Sequence, residues 1–281
     1  MAIGRSFGRE LLLDPALSRL ERLYVRLFGV PILGLRVRAG YVVPLLEELQ
    51  SVRGSSIGAI ADAGCGRGLF AAYCARIFPD ADIVGFDFDR EQVERNRAAA
   101  RSTGIENLRF EVQDLTELAA EDAFDLVLSV DNLEHLEDDR GQVFRFRRAL
   151  RPGGWLLVHV PHHTRNLFGW RRRNFMEIEG HVRPGYTRDT LVALLEEAGL
   201  EVVRSGYSYN SMETLANDLS FLVTGGRERR KGLYALAFPA LLALAHLGGS
   251  RPPREGSGLW TLARRSTGET VEDSPRNPPH R

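Results

Sequence analysis

Between about residue 57 and residue 160, short apolar runs alternate with stretches whose apolar positions recur at helical spacing. This is the pattern of parallel strands joined by crossover helices. Ile57 to Asp62 reads as a first strand, ending in an acid and a glycine-rich turn. From Leu69 to Phe78, the residues Leu69, Phe70, Tyr73, Cys74 and Ile77 share one helical face, and Pro79 stops the helix. Further strands are expected at Asp82 to Asp87, Leu108 to Val112, Phe124 to Val130 and Trp155 to Val160, the last after the turn residues Pro152-Gly153-Gly154. Asp89 and Gln92 have the spacing of a capping box, opening a helix that ends near Gly104.

The flanks are less regular. Residues 1–50 read as an N-terminal helical cap, apolar and arginine-rich, broken by Gly29, Pro31 and Gly34. Residues 161–188 form a long connection before a helix from Arg188 to Ala198. Residues 209–250 lie between strand candidates at Leu200 to Tyr207 and Gly258 to Ala263. The main domain is therefore placed at 51–265, with 161–188 and 209–250 as substrate-side insertions, since long connections in such domains carry function. The polar, proline-containing segment 266–281 is expected to be disordered.

Candidate chemistry sits at the ends of the first three strands. Asp62-Ala63-Gly64-Cys65-Gly66-Arg67-Gly68 is a glycine turn opening a helix, where free N–H groups face a ligand approaching the backbone. Asp87 ends the second strand, roughly twenty residues on, the place from which an acid bonds a ribose diol. Gln113-Asp114-Leu115 puts a third acid at the end of the third strand. Each acid alone is as consistent with a turn or an N-cap; three at successive strand ends point to a nucleoside-bearing ligand.

These residues, together with Leu133-Glu134-His135-Leu136 and Leu150-Arg151-Pro152-Gly153-Gly154, resemble the class I S-adenosylmethionine-dependent methyltransferases, particularly their bacterial small-molecule and lipid branch. The resemblance implies a Rossmann-like α/β fold, with a doubly wound seven-stranded sheet that is mostly parallel and reversed in its last strand. It implies S-adenosyl-L-methionine as cofactor. Gly64, Cys65, Gly66 and Gly68 would wrap its methionine part and Asp62 would bond its amino group. Asp87 would hold the ribose and Phe88 would pack on the adenine. Gln113, Asp114 and Leu115 would flank the base, and Val130 and Asp131 would lie near the sulfonium. His135 and His181 are the candidate bases, and His162, His163, Arg183 and Tyr186 the candidate substrate-side groups.

Composition narrows this further. The 281 residues carry 37 basic and 37 acidic side chains, for a formal net charge of zero, so no general field draws the chain to nucleic acid. Asn277-Pro278-Pro279-His280 has the look of an adenine-amino methyltransferase signature but lies in the tail. Lys231 is the only lysine, which excludes the Tyr-x-x-x-Lys pair of short-chain dehydrogenases. The glycine spacing also departs from G-x-G-x-x-G, so a nicotinamide enzyme is the weaker alternative, beside a cofactor-binding protein without catalysis. Cys65 and Cys74 form no metal-ligand or disulfide pattern, and no metal is expected. No signal-peptide pattern is present, and the expected location is the cytoplasm.

The acceptor is read only as a small or lipidic molecule, with oligomeric state open. Leu233 to Leu247 is nearly all apolar and follows Arg227, Arg229, Arg230 and Lys231. It is shorter than the about 20 residues a bilayer requires. It reads two ways: as peripheral membrane contact through 227–250 at the inner membrane face, or as a core helix packed on Leu20, Leu23 and Leu27.

Overall fold

The computed structural model describes residues 7–8, 17–168, 170–173, 180–224, 231–249 and 253–267. Two helices, α1 (Arg19–Phe28) and α2 (Leu33–Arg53), precede the alternating core of β1 (Ala59–Ala63), α3 (Leu69–Ile77), β2 (Asp82–Asp87), α4 (Arg90–Thr103), β3 (Leu108–Val112), β4 (Phe124–Val130), α5 (Asp139–Ala149) and β5 (Leu150–Pro161). A two-stranded hairpin follows, β6 (Thr164–Leu167) with β7 (Trp170–Arg173). The chain continues through α6 (Arg188–Glu197), β8 (Leu200–Ser208), α7 (Ser211–Thr224), α8 (Lys231–His246) and β9 (Gly258–Arg265).

The main sheet has seven strands in the order β3-β2-β1-β4-β5-β9-β8, with β1 to β5 parallel. β9, the last strand in the chain, runs antiparallel to both neighbours and is inserted between β5 and β8. The expected mostly parallel sheet with a reversed last strand is thus what forms. Its central strands read as near-continuous apolar runs because successive side chains enter two different cores. Ile60, Leu126, Leu128 and Leu157 join the layer of α2, α3 and Val93. Ala61, Val127, Leu156 and Val158 join the layer of α5 and α6.

Three details depart from the sequence expectation. α2 runs from Leu33 through Arg53, so no boundary falls at residue 50. Val42, Leu46 and Leu49 make it a layer of the main core rather than a cap. Second, Leu20, Leu23 and Leu27 do not pack against α8; they are exposed. The neighbouring face of α1 turns inward instead, with Tyr24 and Phe28 packed against a small core of Leu33, Ala216, Phe238, Leu241 and Ala245, and the Tyr24 hydroxyl donating to the Ala235 carbonyl at 2.6 Å. α8 is therefore a core helix on one face and an exposed apolar one on the other, where Leu233 and Leu236 stand out. Third, only half of a capping box forms at α4: Asp89 accepts from the N–H groups of Glu91 and Gln92, while the Gln92 amide donates to Asn96.

Among the described residues, no single helix is long and apolar enough to cross a membrane. The segments 174–179, 225–230 and 268–281 lie outside the described residues, and with them Arg227, Arg229 and Arg230, the Asn277-to-His280 stretch and nearly all of the tail.

Candidate functional site

The ends of β1, β2, β3 and β4 converge on one edge of the sheet, and the turn after β1 is built to let a ligand close to the backbone. Gly68 caps α3 in the left-handed region, at φ 69°, and a Cβ there would stand 2.5 Å from the Phe110 ring. Gly66, at φ 49°, instead faces open space within 4 Å of where its Cβ would be. Its N–H donates to Asp87 Oδ2 at 2.8 Å, and Asp89 N–H donates to Asp87 Oδ1 at 3.0 Å, so Asp87 ties the turn to the β2 edge. Each of its oxygens keeps a lone pair for a ligand donor.

Asp62 is buried, and its Oδ2 accepts from Ala71 N–H at 3.0 Å, anchoring the start of α3. Burial pushes its carboxyl up to about 7, against the Ala71 hydrogen bond and with the Asp87 charge adding to the rise. Binding a cation there would favour the ionised form and release a proton. The Cys65 thiol is also pushed up, first by burial and then by the charges of Asp62 and Asp87, which leaves it a poor nucleophile. Asp114 is exposed and accepts at Oδ1 from both the N–H and the hydroxyl of Thr116, bonds that lower its carboxyl. Beside it the Gln113 amide donates to the Asp114 carbonyl at 2.7 Å, while the Leu115 side chain is core. Phe88 is 80% exposed, an aromatic face with nothing packed over most of it.

Next to this edge opens a cavity of about 1130 Å³. Its inner end is polar and includes Asp131, Glu134, His135 and His181, and its remainder is lined by α1, the start of α2, α7 and α8. Asp62, Asp87 and Asp114 do not line it, but Arg67 of the glycine turn does, so the cavity adjoins the nucleoside edge.

Asp131 sits at positive φ, 50°, directly after β4, with its carboxylate clamped from two sides. Arg38 Nη1 of α2 lies 2.5 Å from Oδ2, and His159 Nδ1 of β5 lies 2.5 Å from Oδ1. Burial alone would raise this carboxyl; Arg38 and then His159 overcome it and hold Asp131 below the usual carboxylate range. His159 is 1% exposed and its Nε2 lies 2.8 Å from Ser208 Oγ, so a relay of polar contacts runs from the cavity into β8. Glu134, also 1% exposed, has its carboxyl raised by burial and then by Asp131.

His135 and His181 are brought together, with ring centroids 4.6 Å apart and edge to face. Burial, then the neighbouring His135, lowers the His181 pKa, with Asp131 opposing. The loop that carries His181 is fixed to the turn after β4: Val182 N–H donates to the Glu134 carbonyl at 3.0 Å. Arg183 pairs with Asp139 and donates to the carbonyls of Leu136 and Glu137. Tyr186 hydroxyl donates to Asp139 at 2.7 Å. Arg183 and Tyr186 are therefore fasteners of the loop and do not line the cavity. Neither do His162 and His163: His162 Nδ1 contacts the carbonyl and hydroxyl of Thr164, and His163 N–H donates to the Tyr186 carbonyl. Val130 is half-buried against the core of α2 and α3.

Sequence reasoning missed Arg38, His159, Ser208 and Glu134. The signals were a histidine inside the apolar run of β5 and, for Glu134, its place in the Leu133-to-Leu136 motif; Arg38 comes from a helix far away in sequence.

Residues 60–154 match the family model described as a methyltransferase domain. This region is a methyltransferase domain. Similar proteins include the trans-aconitate 2-methyltransferase of Deinococcus radiodurans, 38% identical over 102 residues, 36% of this chain and 37% of that enzyme. Another is the ubiquinone biosynthesis O-methyltransferase of Rhizobium johnstonii, 28% identical over 171 residues, 56% of this chain and 66% of that enzyme. The chain thus spans little more than a third of the first relative. Among solved structures, the cyclase SpnF superposes with a TM-score of 0.58 at 23% identity, covering 82% of each chain, a likeness of fold alone.

The methyltransferase domain's own geometry fits its cofactor. A buried acid at Asp62, acted on by burial, the Ala71 N–H and the Asp87 charge, suits an ammonium group. Asp87 offers acceptors to a diol, and the open side of Gly66 leaves room beside the turn. A pyrophosphate would meet two carboxylates there.

Proposed function

We propose that this chain transfers the methyl group of S-adenosylmethionine to a small-molecule acceptor that has a polar reacting end and a long apolar body. The observation that carries the second half of this reading is the cavity. It joins a polar end at Asp131, Glu134, His135 and His181 to an apolar stretch at Leu20, Tyr24, Val25, Leu33, Phe221 and Tyr234. At about 1130 Å³ it exceeds the roughly 300–1,000 Å³ of ordinary ligand pockets, which suits a chain-like or lipidic molecule.

When bound, the cofactor supplies a methyl already activated on a sulfonium. The protein's part is then placement, which can contribute on the order of 7–11 kcal/mol when two reactants are held aligned. The roles proposed are that Asp62 and Asp87 hold the amino group and the ribose, with Gly64, Cys65, Gly66 and Gly68 around the methionine part. Phe88, Gln113, Asp114 and Leu115 would surround the adenine. Asp131, fixed by Arg38 and His159, marks the boundary between cofactor and acceptor, with Val130 beside it. His135 and His181 stand at the reacting end and prepare the acceptor's nucleophile.

The apolar mouth also supports peripheral contact with a lipid surface. Leu20 of α1 and Phe221 of α7 line the cavity and are exposed, and Leu23 and Leu27 of α1 and Leu236 of α8 are exposed as well. In this form the contact reaches beyond 227–250 to include α1.

A chain-length series tests the acceptor reading. Binding of 4-alkylphenols to protein saturated with S-adenosylhomocysteine is measured by displacement of a fluorescent apolar probe. Affinity should rise about fourfold per added methylene, the equivalent of about 0.8 kcal/mol, until the cavity is filled. Ala235→Trp, which narrows the wall between α1 and α8, should shorten the chain length at which the rise stops. Affinity independent of chain length would remove the apolar body from the proposal.

A further inference from the structure

We infer that Glu134, His135 and His181 form a binding site for one divalent transition-metal cation at the reacting end of the acceptor cavity. This rests on the methyltransferase reading and specifies how its reacting end would handle a hydroxyl-bearing acceptor.

The geometry comes from two turns held against each other. Glu134 and His135 lie in the short helical turn after β4, Leu133–His135. His181 reaches them from the loop before α6, because Val182 N–H is bonded to the Glu134 carbonyl. Gly180 permits the close approach: at φ 86°, its Cβ would stand 3.1 Å from His135 Nδ1. One carboxylate oxygen and one nitrogen from each imidazole lie within 4.8 Å of one another. A cation bound at about 2.0–2.2 Å to each needs them roughly 3–3.5 Å apart. Rotation of the two rings and the carboxylate about their own side-chain bonds covers that difference.

A second observation points the same way. Glu134 is 1% exposed, and its Oε2 has no hydrogen-bond partner. Leaving a buried carboxylate oxygen unpaired costs free energy, so such an atom needs an explanation. The nearby guanidiniums lower the Glu134 carboxyl by their charge but form their ion pairs with other acids, Arg38 with Asp131 and Arg183 with Asp139. Glu134 is thus a buried acid whose neighbouring basic side chains are engaged elsewhere, with two imidazoles beside it. A cation of charge two bound there would favour the ionised carboxylate against the burial that raises it. Two imidazoles and one carboxylate are the donor set of open sites for zinc, iron, cobalt or manganese, which keep positions free for another ligand. Here those positions face the cavity, where all three residues are part of the lining. An acceptor hydroxyl bound there would lose its proton more readily, which is the preparation that methyl transfer from a sulfonium requires.

Sequence spacing hid this site. Glu134 and His135 are adjacent, and His181 lies on the far side of β5 and the hairpin, so no ligand motif is visible.

The test uses the tag-free full chain, stripped with chelator. Cobalt(II) is titrated and followed by its visible absorption, and zinc(II) by calorimetry. The wild-type chain should bind one equivalent with micromolar or tighter affinity. His181→Ala and His135→Ala should each weaken binding at least tenfold, while thermal stability and S-adenosylhomocysteine affinity stay within twofold of wild type. Glu134→Gln should behave likewise, and if it fails to fold the two histidine variants decide. Absence of a stoichiometric site in the wild-type chain, or wild-type metal affinity in both histidine variants, would overturn the inference. Failure of S-adenosylhomocysteine to bind would instead count against the methyltransferase reading, independently of the metal.

Discussion

Asp87→Ala should reduce S-adenosylhomocysteine affinity by roughly 10²- to 10⁴-fold. A ribose diol gives Asp87 two hydrogen bonds to a charged acceptor, worth about 1.5–3 kcal/mol each, and every 1.4 kcal/mol is a factor of ten. The structure adds a second cost. Gly66 N–H and Asp89 N–H both depend on this carboxylate, so the glycine turn loses its tie to the edge of β2 in the same substitution. The free protein should therefore also be less stable, and Asp87→Asn, which keeps one carbonyl acceptor, should fall between the two. Calorimetric titration of the folded variants checks this. Unchanged affinity in Asp87→Ala would take the residue out of the site.

The second large effect concerns Arg38. Arg38→Met removes one side of the clamp on Asp131 and leaves a mostly buried carboxylate with His159 alone. Breaking such a pair typically costs 3–5 kcal/mol; with the two side chains 22% and 26% exposed, the lower end, about 3 kcal/mol, is expected. That corresponds to a fall in Tm on the order of 6–12 °C for a chain of this size. The double variant Arg38→Met with Asp131→Asn should recover part of the loss, because no unpaired charge remains. If the single variant shifts Tm by only a degree or two, Arg38 and Asp131 are a solvated pair and the boundary assigned to them in the site is wrong.

The parts of the protein that were legible in its sequence are those where one residue pattern has one physical meaning. β2 and β4 begin and end where the apolar runs do, because both faces of a central parallel strand are buried, while the edge strand β3 kept its bounds through the alternation of Leu108, Phe110 and Val112 with Arg109 and Glu111. Asp62, Asp87 and Asp114 drew attention only as a set: each has a local use as well, Asp114 as the N-cap of the turn that follows it and Asp87 as the acceptor that ties down the glycine turn. The acceptor side was not legible. Its walls come from α1, α7 and α8, whose apolar residues are divided between a small core and an exposed face. Periodicity alone did not say which of Leu23 or Tyr24 turns inward. The reacting end depends on contacts between residues far apart in the chain, Arg38 with Asp131 and His181 with His135, and none of these leaves a local spacing. Arg183 and Tyr186 show the reverse case: the polar residues of a loop beside the site read as substrate-side groups, and the hydrogen bonds they make fasten the loop itself.

The edge formed by Asp62, Asp87 and Asp114 is proposed to bind S-adenosylmethionine. The most direct measurement is calorimetric titration of the purified chain with S-adenosylmethionine, S-adenosylhomocysteine and NADH in parallel. One equivalent of each of the first two should bind with micromolar affinity, and NADH should not bind, because its pyrophosphate would face Asp62 and Asp87. Binding of NADH without either of the other two would contradict the account.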